Sequence, residues 1–124
     1  MNQVGVFTED VITSLQLNIP IGTPIFIGDS NEKHIKNRHP YEYDMYYNKI
    51  SVILSEPDYV GLNPNDKSIQ YVKEFLVNSE YIRVAVRISQ NQKCYVKTLH
   101  LLSTYNAERY INKGTLKKLD NNGY

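Results

Sequence analysis

The chain has 124 residues, the length of one domain, and its 41% hydrophobic and 22% charged residues suffice for a packed core without covalent staples. A single cysteine, Cys94, excludes an internal disulfide and a cysteine-rich zinc site. The net charge of +1 excludes a broadly basic coat for nucleic acid, yet residues 1–62 hold four basic side chains against eight acidic ones, and residues 63–124 hold ten against five. Such a split hints at polyanion contact by one part of the chain; the plain alternative is scattered, solvated charge. The opening residues lack a basic segment and a long apolar run. A cytosolic setting is the expectation, and the lone thiol agrees with it.

Residues 4–7 read as a short strand or an extended arm. Thr8 can cap a helix over 9–17, with Glu9 and Asp10 in its positive first turn. Residues 18–24 are loop, and 25–27 a brief extended stretch ended by Gly28. Asp29 or Ser30 then caps a polar helix running to about Arg38, with Asp29 and Glu32 at capping-box spacing. Pro40 disfavours helical geometry at His39 and ends it. Apolar and tyrosine residues at helical spacing predict a third helix over 41–55, stopped by Pro57. From there the period becomes two. Strands are expected over 58–62, 69–77, 81–88 and 94–102, with turns between. Residues 106–119 hold one short helix broken at Gly114. Helices followed by hairpin-linked strands predict an α+β fold: N-terminal helices on one face of a four-stranded antiparallel meander.

Three histidines are the natural candidates for proton transfer near neutral pH. His34 and His39 lie in one cationic segment with Lys36 and Arg38. On an unbroken helix they would point about 140° apart, but Pro40 breaks that geometry. The bland reading is a solvated helix end. His-x4-His is not the zincin pairing, so no metal site is expected. In the last strand Thr98 and His100 share one face, Tyr95 and Lys97 the other, and either pair suits a ligand. Arg83 and Arg87 share the polar face of the strand before it. Cys94 reads as core rather than nucleophile. No phosphate-binding glycine motif is present. The tyrosines of 41–47 suit either base stacking or helix–sheet packing, with packing the commoner use.

The run His34-Ile35-Lys36-Asn37-Arg38-His39-Pro40, then Lys49–Gly61, then Val84-Ala85-Val86-Arg87, Lys97-Thr98-Leu99 and Tyr110–Leu116, in this order and spacing, resembles the phage-associated nuclease-like domains of the barnase–EndoU–colicin E5/D–RelE class. The likeness is to the third phage group, PBECR3, over about residues 25–119. It leaves 1–24 as an arm with a short helix and 120–124 as a tail. The resemblance implies a metal-independent ribonuclease without cofactors, often part of large phage proteins. It maps catalytic roles to His34, His39, Arg87 and Thr98, with Lys36, Arg38, Arg83, Lys97 and His100 as RNA-binding groups. His100 stands where an aromatic residue is expected. The implied reaction is attack of a ribose 2′-OH on the adjacent phosphate, giving a 2′,3′-cyclic end. The implied partners are RNA, such as tRNA or mRNA, and an immunity or antitoxin protein, in the cytoplasm of a bacterial host, with no membrane involved. The competing expectation is a catalytically inactive RNA- or protein-binding phage accessory module on the same fold.

Overall fold

The computed structural model describes residues 1–119. The expected tail, 120–124, lies outside the described residues. The central element is the meander that the period-two pattern predicts: β-strands Tyr59–Leu62 (β3), Ile69–Phe75 (β4), Glu80–Ile88 (β5) and Cys94–Leu102 (β6), each antiparallel to the next. The sheet is larger than the expected four strands. Asn2–Val6 (β1) and Pro24–Ile27 (β2) pair with each other and extend it beyond β6, and Leu116–Lys118 (β7) extends it beyond β3. The result is seven strands in the order β1-β2-β6-β5-β4-β3-β7. Nor is the sheet wholly antiparallel, because β2 runs parallel to β6. Two of the added strands, β1 and β2, fall on stretches expected to be extended, 4–7 and 25–27, but nothing local shows which strands they join.

One face carries the main core. Cross-strand partners share a face, so Val60, Tyr71, Val84 and Leu99 form one buried row, and Ile69, Val86 and Val96 another. Against them pack Phe7, then Val11 and Leu15 of helix Glu9–Leu15 (α1), and Ile50, Ile53 and Leu54 of helix Ile50–Ser55 (α4). Each such side chain contributes about 1.5–3 kcal/mol by leaving water. Residues 1–24 therefore share this core. Close approach fixes β7: a Cβ on Gly61 would sit 2.1 Å from the Thr115 carbonyl oxygen.

The polar helix is Asp29–Arg38 (α2), and its cap is Gly28, not Asp29 or Ser30. Glu32 closes no capping box; it accepts a hydrogen bond from the Tyr43 hydroxyl at 2.7 Å. The expected helix over 41–55 is divided into Pro40–Tyr46 (α3), a 3-10 turn at Tyr47–Lys49, and α4. Tyr43, Tyr46 and Tyr47 of this stretch pack on the core, whereas Tyr41 is exposed. Tyr41 and Tyr46 both donate to the Glu80 carboxylate at the start of β5, which ties α3 to the sheet. Because β2 covers only the first residues of β6, the rest of that edge is free for α2 and α3. There the Leu101 amide donates to Glu42 of α3 at 2.9 Å.

The last helix, Thr104–Lys113 (α5), is capped by the Ser103 hydroxyl and ended by Gly114 at φ 81°. It lies on the opposite face, where Ala107, Tyr110 and Ile111 pack with Val72, Tyr81, Leu102 and Leu116. Helices therefore occupy both faces, and α5 leaves part of the second face open.

Candidate active site

The open part of the second face is built by register. Arg83 pairs with His100 across β5 and β6, and the next step on the same face pairs Ala85 with Thr98. A regular ladder would then turn Tyr95 to the core side. Instead the register shifts between Ala85 and Val86: Val86 pairs with Val96, and Lys97 is the extra residue of a β-bulge. The phase reverses. Arg87 pairs with Tyr95 on the face that already holds Arg83, Thr98 and His100. The expected division of the strand, with Tyr95 on the face opposite Thr98 and His100, is overturned by this one inserted residue.

Arg83 is the centre of the arrangement. Its Nη1 donates to Gln70 Oε1 at 2.7 Å and its Nε to His100 Nε2 at 3.0 Å, with Nη2 closing on the same nitrogen. A guanidinium only donates, so His100 Nε2 is the acceptor and its proton sits on Nδ1. Burial, then the Arg83 charge, then His39, depress the His100 pKa to about 4. His100 is thus neutral at physiological pH. Burial also lowers the Arg83 pKa from its ordinary value. Among the described residues no carboxylate pairs with Arg83. A half-buried cation held only by neutral acceptors leaves its charge uncompensated and attracts an anion.

The histidines come from the neighbouring helices. His39 ends α2 and precedes α3, with φ −133° and ψ 61°. Pro40 removes the helical option there, and the bend turns the ring onto the sheet. It stacks on His100 at 5.4 Å between centroids and meets His34 edge-on at 6.4 Å. Glu42 Oε2 lies 3.7 Å from His39 Nδ1, in ion-pair range and too long for a hydrogen bond. Because the Leu101 amide holds the same carboxylate oxygen, Glu42 fixes one side of His39 and leaves Nε2 as the freer nitrogen.

Thr98 contributes a buried hydroxyl with no hydrogen-bond partner among the described residues, one ladder step from Arg83 and His100. Arg87 follows Ala85 by two residues, about 7 Å along the strand. It is exposed and has no carboxylate partner among the described residues. Lys97 is bound to Asp66 at 2.6 Å, and this contact holds the Asp66 carboxyl well below the usual carboxylate range. Lys36 lies 5.8 Å from the Tyr43 ring centroid, engaged with α3, and Arg38 is exposed at the end of α2. His34, His39, His100 and Arg83 are therefore brought together, with Thr98 beside them. Arg87 and Lys97 lie further along the same face. Among the described residues no three His, Cys, Asp or Glu side chains are grouped to hold a metal ion.

The family model described as phage-Barnase-EndoU-ColicinE5/D-RelE like nuclease 3, PBECR3, matches residues 2–109. The chain belongs to this family. No curated protein and no solved structure matched it. The PBECR3 match begins at residue 2, so β1 and α1 fall inside it. It makes the protein a phage-associated domain of the nuclease-like class. No helix among the described residues is long and apolar enough to cross a membrane.

Two residues of this candidate site, Gln70 and Glu42, escaped the sequence reading. Gln70 is a polar residue in the buried first half of β4, flanked by Ile69, Tyr71 and Val72, and nothing else in the local sequence signals its contact with Arg83. Glu42 reaches the site through an edge amide 59 positions away. Tyr95 was foreseen as facing a ligand but on the opposite face; the bulge that moves it leaves no signal in the strand's composition.

Proposed function

We propose that the protein is a metal-independent endoribonuclease of phage or prophage origin that cleaves RNA by 2′-OH transesterification. The observation that carries this is Arg83: a half-buried guanidinium without a carboxylate, beside three clustered histidines and an unpartnered threonine hydroxyl. A phosphodiester supplies the missing negative charge and accepts from the hydroxyl. His39, steadied by Glu42, takes the 2′-OH proton as the oxygen attacks phosphorus. His34 in its protonated form gives a proton to the departing 5′-oxygen. The P–O5′ bond breaks as the new P–O2′ bond forms, leaving a 2′,3′-cyclic phosphate and a 5′-hydroxyl. Arg83, with Thr98 donating, stabilises the charge on the phosphoryl oxygens, and Arg87 holds the strand. His100, neutral, orients Arg83 and moves no proton.

The test is incubation with total cellular RNA, with and without EDTA. The expected result is defined fragments with 2′,3′-cyclic ends, unchanged by EDTA, while DNA of the same sequence survives. His39→Ala should lower the rate by about 10²–10⁴-fold and leave the melting temperature unchanged. RNA binding with no cyclic ends at any enzyme concentration would instead make this a non-catalytic binding module.

A further inference from the structure

Two clefts on the molecule share one side chain. The first, about 360 Å³, is lined by Gly28, Ser30, Asn31, Arg87, Tyr95 and Lys97. The second, about 520 Å³, is lined by Ser89, Gln90, Asn91 and Tyr95. Tyr95 is the ridge between them. It is half-buried and braced by Phe26, with centroids 6.4 Å apart at 47°. It stands where it does because of the bulge at Lys97, and its cross-strand partner is Arg87, which has no carboxylate partner among the described residues.

We propose that Tyr95 is the stacking platform for one unpaired nucleobase of the RNA, near the cleaved bond in the strand, with Arg87 on that nucleotide's phosphate. The inference rests on the nuclease reading and names how that site selects its substrate. Arg87 lies four residues along β5 from Arg83, about 13 Å. The base on Tyr95 therefore belongs to a nearby nucleotide and not to the ribose reacting at Arg83. A tyrosine ring offers a flat apolar face that every base can stack on. The amides of Asn31 on one side and Gln90 on the other are donor–acceptor groups of the kind that read base edges. Among the described residues no aliphatic side chain lines either cleft, and Arg87 sets a cation beside the tyrosine ring, a combination that suits a base flanked by phosphates. The consequence is a preference for single-stranded RNA, since a paired base is unavailable for stacking.

The probe is a short RNA with 2′-O-methyl riboses throughout, which cannot be cleaved by this chemistry, carrying fluorescent 2-aminopurine at one position at a time. Native protein should quench the fluorophore strongly at one position. Tyr95→Leu should lose that quenching, and Tyr95→Phe should keep it. On cleavable RNA, Tyr95→Leu should raise KM about tenfold with kcat little changed. Native protein should show the same KM rise on an RNA lacking only that base, a result independent of how any variant folds. Equal KM for abasic and complete RNAs at every position overturns the proposal while leaving the nuclease reading intact. Tyr95-dependent quenching by a protein that cleaves no RNA supports the platform and overturns the nuclease reading instead.

Discussion

At the scale of single residues, the site turns on how Arg83 is held. Its fork spans Gln70 on one strand and His100 on another. A lysine keeps the charge but is a point donor that cannot span both. Arg83→Lys should therefore lower kcat/KM by about 10–100-fold while the urea midpoint shifts little. Full activity in this variant would show that charge alone suffices. His100 makes a separate claim about pH. Its folded pKa of about 4 lies below the unfolded value near 6.5. Between those values the unfolded chain takes up a proton that the folded chain refuses. Folding stability is thus full above about pH 6.5 and falls as pH drops toward 4, by on the order of 3 kcal/mol over the window. Urea unfolding at pH 7 and pH 5 should show this loss, and His100→Gln should reduce it. Equal losses in the two proteins would contradict the burial of a neutral His100. His34, His39, Thr98 and Arg87 were singled out because the family likeness rests on local runs; the structure gathers the two histidines near Arg83, sets Thr98 beside them and leaves Arg87 further along the face. The role of Arg83 was not legible, because its partners are set by register across three strands.

At the scale of elements, two irregularities aim the site. The α2–α3 break was readable, since a proline after His39 excludes a continuing helix. It carries the ring onto His100 rather than leaving it on a solvated helix end. The bulge in β6 was not readable, since alternation assumes an unbroken ladder. The four meander strands β3–β6 were legible from their period, within two residues at each end. The extended stretches of β1 and β2 were legible too, but their place in the sheet, and β7 altogether, were not, because pairing is decided by neighbours far away in sequence. The β3–β7 edge supplies a test of its own. Gly61 faces the Thr115 carbonyl with no space for a methyl group. Gly61→Ala should cost about 1–3 kcal/mol in urea unfolding, with activity per folded molecule retained, since this edge lies away from the histidines. An unchanged midpoint would contradict the close approach.

At the scale of the whole molecule, the uneven charge along the chain acquires a spatial meaning. The acidic half supplies His34, His39 and the orienting Glu42. The basic half supplies Arg83, Arg87 and Lys97. The two halves meet along β6, where β2 stops short and α2–α3 cover the free edge. A net charge near zero fits a protein that grips a few phosphates at one place and leaves the rest of its surface indifferent to nucleic acid. The central claim is that this meeting place makes the ribose 2′-oxygen attack its own phosphate. The direct measurement uses a defined RNA cleaved at a known bond and the same RNA with a single 2′-deoxyribose on the 5′ side of that bond. Cleavage should vanish at that bond and persist at others, with 2′,3′-cyclic ends wherever it occurs. Unchanged cleavage at the deoxy position would show that the 2′-oxygen is not the nucleophile and would contradict the mechanism.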